Sequence, residues 1–297
     1  MKLFEKRPGI LLIIGILGIS LSSIFVKYSE APSAVTALWR LGLTVVLLTP
    51  ITLGNRELRR ELRGLSAKNL LLSALSGIFL AVHFVLWFRS LALTSVASST
   101  TIVCTEVIWV ALGYCIFMKG RIPLKAVAAI AVTLIGSLLI ALSDSAAGQS
   151  LTGDILALLA AMSAAVYMLL GRVVRKGVST SVYTYVVYTA CTAALLIISA
   201  AQAQNPFAYG WSPAIVGLLL AVFSTLLGHS VFSWALKYFS PAFLSASKLC
   251  EPVVAAILAC LLFAEIPHYL VILGGILILA GVLAYSLIEA KNKPDCR

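Results

Sequence analysis

Charge is scarce in this sequence. Only 11% of its 297 residues are charged, whereas soluble domains carry roughly 25% charged residues. Apolar residues reach 61%, and the mean hydropathy is +1.05. A soluble globular enzyme is therefore close to excluded, because so few charges cannot cover the surface of a soluble chain of this length.

The motifs of several common chemistries are also absent. No GxxxxGK[ST] nucleotide-binding loop occurs, and neither HExxH nor a Cys–His zinc spacing is present. The six cysteines have no CxxC spacing and lie in apolar runs or in the C-terminal tail. We therefore expect no disulfide framework, no metal and no other cofactor.

The net charge of +11 would suggest a nucleic-acid partner in a soluble protein. Here, however, the basic residues lie in short connections between apolar runs, which is the pattern that orients membrane proteins. We therefore expect the lipid bilayer, and not nucleic acid, as the partner of this chain.

Long apolar runs are abundant. A helix needs about 20 residues to cross ~30 Å of hydrocarbon. The chain is predicted to be an all-α membrane protein with ten transmembrane helices, at residues 9–28, 34–53, 69–93, 95–118, 124–143, 153–172, 181–201, 213–237, 241–263 and 267–288. No convincing cleavage site interrupts the first run, so we interpret it as a helix and not as a signal peptide.

The lysines and arginines predict the orientation of these spans. When alternate connections are assigned to one side, 18 of the 22 basic residues collect there. The remaining four are Lys27, Arg40, Arg89 and Lys248, within spans or at their ends. The positive-inside rule then predicts a multi-pass protein of the cell (inner) membrane with both termini in the cytoplasm. An odd number of spans would scatter this bias.

An internal repeat relates the two halves of the chain. A shift of 145 positions places residues 90–95 over residues 235–240. We expect two repeats of five helices each, residues 1–143 and residues 144–297. Because five is odd, the halves would insert with opposite orientations. Such inverted repeats are typical of secondary transporters, whose sites lie near the bilayer midplane.

Two carboxylates, Glu106 and Glu251, are the strongest candidate site residues. The same shift aligns them, and each lies roughly 15–17 Å deep at 1.5 Å per residue. A charge at the bilayer centre costs at least ~2.5–3.5 kcal/mol, so such residues are functional by default. Either glutamate could couple transport to protons, with Glu106 the first choice, or bind a cationic substrate group. The alternative is a structural role, favoured for Glu251 by Lys248 three residues earlier.

Four other residues add polar groups at membrane depth. His83 and His229 could relay protons or hold a substrate carboxylate, or they could simply join two helices by hydrogen bonds. Arg40 and Lys248 could bind an anionic substrate or neutralise one of the glutamates. All four are candidate substrate-binding residues.

Aromatic residues complete the candidate set. Trp87, with Trp39 and Trp234, could form a wall for a flat or cationic substrate, and Tyr188 lies near the midplane. Interface belts and ordinary packing are the alternative explanation for these rings.

Four motifs resemble the EamA branch of the drug/metabolite transporter superfamily: HFVLWFRSLALTSVAS (83–98), LLGHSVFSWALKYFSPA (226–242), LCEPVVAAILACLLFAEIP (249–267) and GGILILAG (274–281). The resemblance covers residues 9–288 and implies a ten-helix carrier of small metabolites, often an exporter. Val107 stands where the family often has proline, and Ser233 stands where asparagine usually precedes Trp-Ala-Leu. Both differences affect what can be inferred about the pocket.

We therefore expect a secondary-active transporter, an exporter, of a small metabolite such as an amino acid, working by alternating access, with proton coupling open. It would act as a monomer or homodimer. A lipid or lipid-linked-sugar flippase on the same fold is an alternative and would need a groove open to lipid. An intramembrane enzyme is disfavoured, because it would need a nucleophile–base pair or an aspartate dyad at membrane depth.

Overall fold

The computed structural model describes residues 8–94, 99, 102–143, 151–251, 253–254, 257 and 269–291. Among these residues every element is helical and no strand occurs, which confirms the all-helical prediction over this part of the chain. The elements are α1 (Pro8–Ser20), α2 (Ser22–Lys27), α3 (Ser33–Gly54), α4 (Arg56–Arg63), α5 (Ala67–Leu91), α6 (Glu106–Met118), α7 (Leu124–Ser143), α8 (Leu151–Val174), α9 (Thr180–Ala201), α10 (Ser212–Leu219), a π-helix (Leu220–His229), α11 (Ser230–Ala235), α12 (Pro241–Lys248) and α13 (Tyr269–Lys291).

Six described segments are long and apolar enough to cross a membrane: Gly9–Val26, Ser33–Gly54, Ala67–Leu91, Leu151–Val174, Thr180–Ala201 and Ser212–Ala235. Three shorter apolar helices, Ile102–Met118, Leu124–Leu139 and Ile272–Ile288, coincide with further expected spans. The expected span 241–263 is described beyond Glu251 only at residues 253, 254 and 257. The chain is thus a multi-pass membrane protein, and the count of ten spans stays a prediction.

Two helices are interrupted at positions that the repeat relates. A turn at Thr105 precedes α6, and a turn at 249–250 follows α12. The amide of Thr105 donates to the carbonyl of Ile102 (3.0 Å), and the amide of Cys250 donates to that of Ser247 (3.2 Å). The shift of 145 positions that aligns the sequences therefore also aligns these two tight turns.

The π-helix breaks the correspondence between the two copies. The equivalent residues 75–84 lie inside α5 and are α-helical. The Thr225 hydroxyl donates to the carbonyl of Leu220, five residues earlier, at 3.1 Å, which matches the wider π-helical register. A Cβ on Gly228 would lie 2.7 Å from Ile19 Cγ2, so α1 packs against this element at close range.

The helices pack into two compact units. The first contains Met1–Arg89 and Val166–Tyr238, and the second contains Ser90–Ala165 and Phe239–Arg297. Each unit therefore takes helices from both of the sequence halves expected from the repeat.

In the second unit α7 and α13 make a reciprocal contact. A Cβ on Gly136 would lie 2.6 Å from the Gly274 carbonyl oxygen, and one on Gly281 would lie 2.8 Å from the Ala129 carbonyl oxygen. Under the shift of 145 positions Gly136 corresponds to Gly281, and Ala129 corresponds to Gly274. Contact of this kind, in which i meets j and j meets i, is what a two-fold relation between equivalent helices produces.

In the first unit Gly77 of α5 lies against α9. A Cβ there would overlap the carbonyl oxygen of Val187 and lie 2.9 Å from Ala190 Cβ. Gly42 of α3 also faces α9, but a Cβ there would meet only Thr192 Cγ2, at an ordinary 3.9 Å. The two glycines thus differ in steric room against the same helix.

Gly77→Ala is expected to lower the thermal unfolding midpoint in detergent, because overpacking against a backbone oxygen costs about 1–3 kcal/mol. Gly42→Ala is the matched control and should leave the midpoint unchanged or raise it, since alanine in a helix is favoured over glycine by ~0.5–1 kcal/mol. Equal midpoints for the two variants would contradict the close approach of α5 and α9.

Candidate functional sites

A buried ion pair is the central feature of the second unit. Lys248 Nζ donates to Glu106 Oε1 at 2.9 Å and to Oε2 at 3.1 Å. Glu106 is buried, and the Lys248 side chain is only 15% exposed. One partner comes from the first sequence copy and the other from the second. Breaking such a pair is costly, because it leaves one charge uncompensated in apolar surroundings.

The two charges of the pair lie beside the helix interruptions. Glu106 directly follows the turn at Thr105, and Lys248 directly precedes the turn at 249–250. The positions that the repeat relates therefore carry the two partners of the ion pair.

Glu251 belongs to the same neighbourhood. It follows the turn after α12 and is half-buried. Cys104 lies within electrostatic reach of Glu251, Glu106 and Lys248 at once. The cluster of these three charged residues, called the charge cluster below, therefore contains two carboxylates and one ammonium.

The other described lysines and arginines of this unit are exposed: Lys119, Arg121, Lys125 and Lys291. Acidic residues in the apolar interior of membrane proteins are rare and are candidates for proton exchange. Both carboxylates of the charge cluster are such candidates.

Arg40 is the central residue of the first unit. It is fully buried, and its Nε donates to Thr225 Oγ1 at 2.8 Å while Nη1 donates to Ser22 Oγ at 3.0 Å. The guanidinium carbon lies 4.3 Å from the centre of the Phe84 ring, a cation–π distance. Because Thr225 is also bonded to Leu220, Arg40 fixes the π-helix.

The two candidate histidines lie around the same Phe84 ring. His83 is stacked on Trp87, with ring centres 5.9 Å apart, and also contacts Phe84. His229, at the end of the π-helix, meets Phe84 edge-on at 5.4 Å and contacts Tyr167 at 6.2 Å. Phe84 therefore contacts Arg40, His83 and His229, and Trp87 joins this group through His83.

Tyrosine hydroxyls adjoin this group. Tyr188 is fully buried, and its hydroxyl lies 3.0 Å from that of Ser230, the residue after His229. The Tyr167 hydroxyl lies 3.0 Å from that of Ser233. Tyr188 thus joins α9 to the start of α11, next to the π-helix.

The other two tryptophans of the expected aromatic wall have different neighbours. Trp39 Nε1 donates to the Pro206 carbonyl at 3.0 Å, and its ring meets Phe207 edge-on. Trp234 packs on Tyr238, with ring centres 4.5 Å apart. Trp87, in contrast, stacks on the candidate residue His83.

Sequence reasoning missed four residues of the first unit: Ser22, Phe84, Tyr167 and Thr225. Phe84 is one apolar residue among many, and no local pattern distinguishes it. Thr225 carries a weak signal, because it is a hydroxyl residue four positions before His229 in an otherwise apolar run. Within the described residues, no three His, Cys, Asp or Glu side chains converge as a metal site would require.

Comparison with known proteins agrees with the duplicated sequence. The model of the EamA-like transporter family matches residues 7–142 and again residues 151–287. A solved crystal structure has the same fold, with a TM-score of 0.77 over 97% of this chain and 99% of that one. Its sequence is only 16% identical, so this likeness concerns the fold alone. No curated protein matches the chain.

The ion pair is expected to appear as a coupling energy in a double-mutant cycle. Glu106→Gln and Lys248→Met should each lower stability, whereas the double variant should lose about 1–3 kcal/mol less than the sum of the two. The measurement is unfolding in mixed micelles. A control cycle of Glu106→Gln with Lys125→Met, which changes an exposed lysine of the same unit, should be additive. Additivity in both cycles would contradict the pair.

Proposed function

Because the chain belongs to the EamA-like transporter family, we propose that it is a secondary-active carrier that moves a small metabolite across the membrane by alternating access. An amino acid or a related compound is the proposed substrate, export is the proposed direction, and protons are the proposed coupling ion. We also propose that the chain lies in the cell (inner) membrane with both termini in the cytoplasm, on the charge bias of its connections.

The observation that carries this proposal is the composition of the charge cluster. Two carboxylates and one ammonium lie together there, and a carboxylate in apolar surroundings can exchange a proton near neutral pH. In the proposal, Glu251 binds a proton in one state of the carrier and releases it in another. This cycle would link substrate movement to proton movement.

The geometry favours different roles for the two glutamates. Both oxygens of Glu106 accept hydrogen bonds from Lys248, so this carboxylate is engaged in the ion pair. Glu251 lies beyond the interruption of its helix and is half-buried. We therefore assign the exchange of a proton to Glu251, and the positioning of Lys248 to Glu106.

The residues around Phe84 are proposed to bind the substrate or to position the residues that do. Arg40 holds the π-helix through Thr225 and is assigned to positioning. His83, His229, Trp87 and Tyr188 are assigned to substrate contact, because they combine flat rings with polar groups. Rings of this kind can hold a small polar metabolite by stacking and hydrogen bonding.

The test compares net transport with exchange in liposomes. The wild-type protein is reconstituted and screened with the standard amino acids under an imposed pH gradient, and a transported one is used as a radiolabelled probe. Glu251→Gln should lower proton-driven net transport by orders of magnitude while probe-for-probe exchange survives. Exchange survives because it requires no change in the protonation of the carrier.

Two further variants sharpen this test. Glu251→Asp keeps a titratable carboxylate and should retain part of the net transport. Glu30→Gln alters an exposed glutamate outside the charge cluster and should leave both modes unchanged. Equal retention or equal loss of the two modes in Glu251→Gln would rule out the coupling role of this residue.

A further inference from the structure

A short basic helix follows the second apolar helix directly. The membrane-spanning helix α3 ends at Gly54, and α4 (Arg56–Arg63, sequence RELRRELR) begins two residues later. Its arginines lie at i, i+3, i+4 and i+7, which places all four on one face of the helix. This face, the arginine stripe, consists of Arg56, Arg59, Arg60 and Arg63, and all four are exposed.

The other faces of α4 hold it in place. Asn55 Oδ1 caps the helix by accepting from the amides of Glu57 (2.8 Å) and Leu58 (3.3 Å). Glu61 Oε1 accepts from the amide of Ser179, at the start of α9, at 2.6 Å. Glu61 is therefore engaged away from the arginines, and the helix is fixed with the stripe outward.

Nearby cations divide into two groups. Arg172 donates to the Leu236 carbonyl, and Arg175 donates to the carbonyls of Ser233 and Val178, so both are used inside the unit. Lys68 and Lys176, in contrast, are exposed. Lys176 lies three residues before Ser179, the residue that contacts Glu61. The two exposed lysines extend the positive surface around the stripe.

We propose that the arginine stripe binds the headgroups of anionic phospholipids. It continues a membrane-spanning helix, so it lies at the level of the bilayer surface, where clusters of basic residues attract anionic lipid. Within the described part of the chain none of its four guanidiniums forms an ion pair. The positive-inside rule concerns only the number of basic residues on each side of the membrane. It therefore does not account for the position of these four arginines on one helix face. The proposal requires that α3 crosses the membrane, and it does not depend on the proposed transport function.

The experiment uses the full chain in detergent, titrated with phosphatidylglycerol or phosphatidylcholine, with bound lipid counted by native mass spectrometry. The wild-type protein should retain phosphatidylglycerol in preference, and this preference should weaken as salt is added. The triple variant Arg56→Gln/Arg59→Gln/Arg60→Gln should reduce the affinity for phosphatidylglycerol on the order of tenfold to a hundredfold at low salt.

Two matched variants complete the design. Replacement of the same three arginines by lysine keeps the charge and should keep the preference. The control Lys119→Gln/Arg121→Gln/Lys125→Gln removes three exposed cations elsewhere and should also keep it. The proposal is overturned if the wild type does not discriminate between the lipids, as a surface for an acidic protein segment would not. It is also overturned if the arginine-to-glutamine variant keeps the preference, or if the control loses as much.

Discussion

A charge buried in apolar surroundings needs a partner, and in this chain that requirement is met by one ion pair. Lys248 at the end of α12 binds both oxygens of Glu106 at the start of α6, beside the two turns that the repeat relates. Glu251 adds a second carboxylate to this neighbourhood, and acidic residues in such surroundings have a chemical capacity beyond packing.

Duplication explains which features of the chain come in pairs. The turns at Thr105 and Cys250 correspond. Gly136 packs against Gly274, and the equivalent pair, Gly281 and Ala129, makes the same contact. The departures from this symmetry fall where function is proposed. The π-helix occurs in the second copy alone among the described residues, and it carries Thr225 and His229, the contacts of Arg40 and Phe84.

Much of this could be predicted from the sequence, because membrane helices are governed by length and apolarity. The helical class and the family follow from such patterns, and the burial of Glu106 agrees with its place in an apolar run. The sequence left the partner of Lys248 open between the two glutamates. The spacing of three residues favoured Glu251, but the helix that would bring them together ends at Lys248. The π-helix could not be predicted either. A shift of the backbone hydrogen bonds from the i−4 to the i−5 register depends on packing with α1, and it leaves no periodic signal in the sequence. Phe84 gathers polar residues from several helices, which no single segment reveals.

The most direct test of the central claim is infrared difference spectroscopy of the reconstituted protein between acidic and basic pH. A protonated carboxyl group in apolar surroundings has a high-frequency carbonyl stretch that disappears when the proton leaves. The account predicts this band in the wild type and in Glu30→Gln, and its loss in Glu251→Gln. Persistence of the band in Glu251→Gln would contradict the account, because the exchangeable proton would then lie on another carboxyl group.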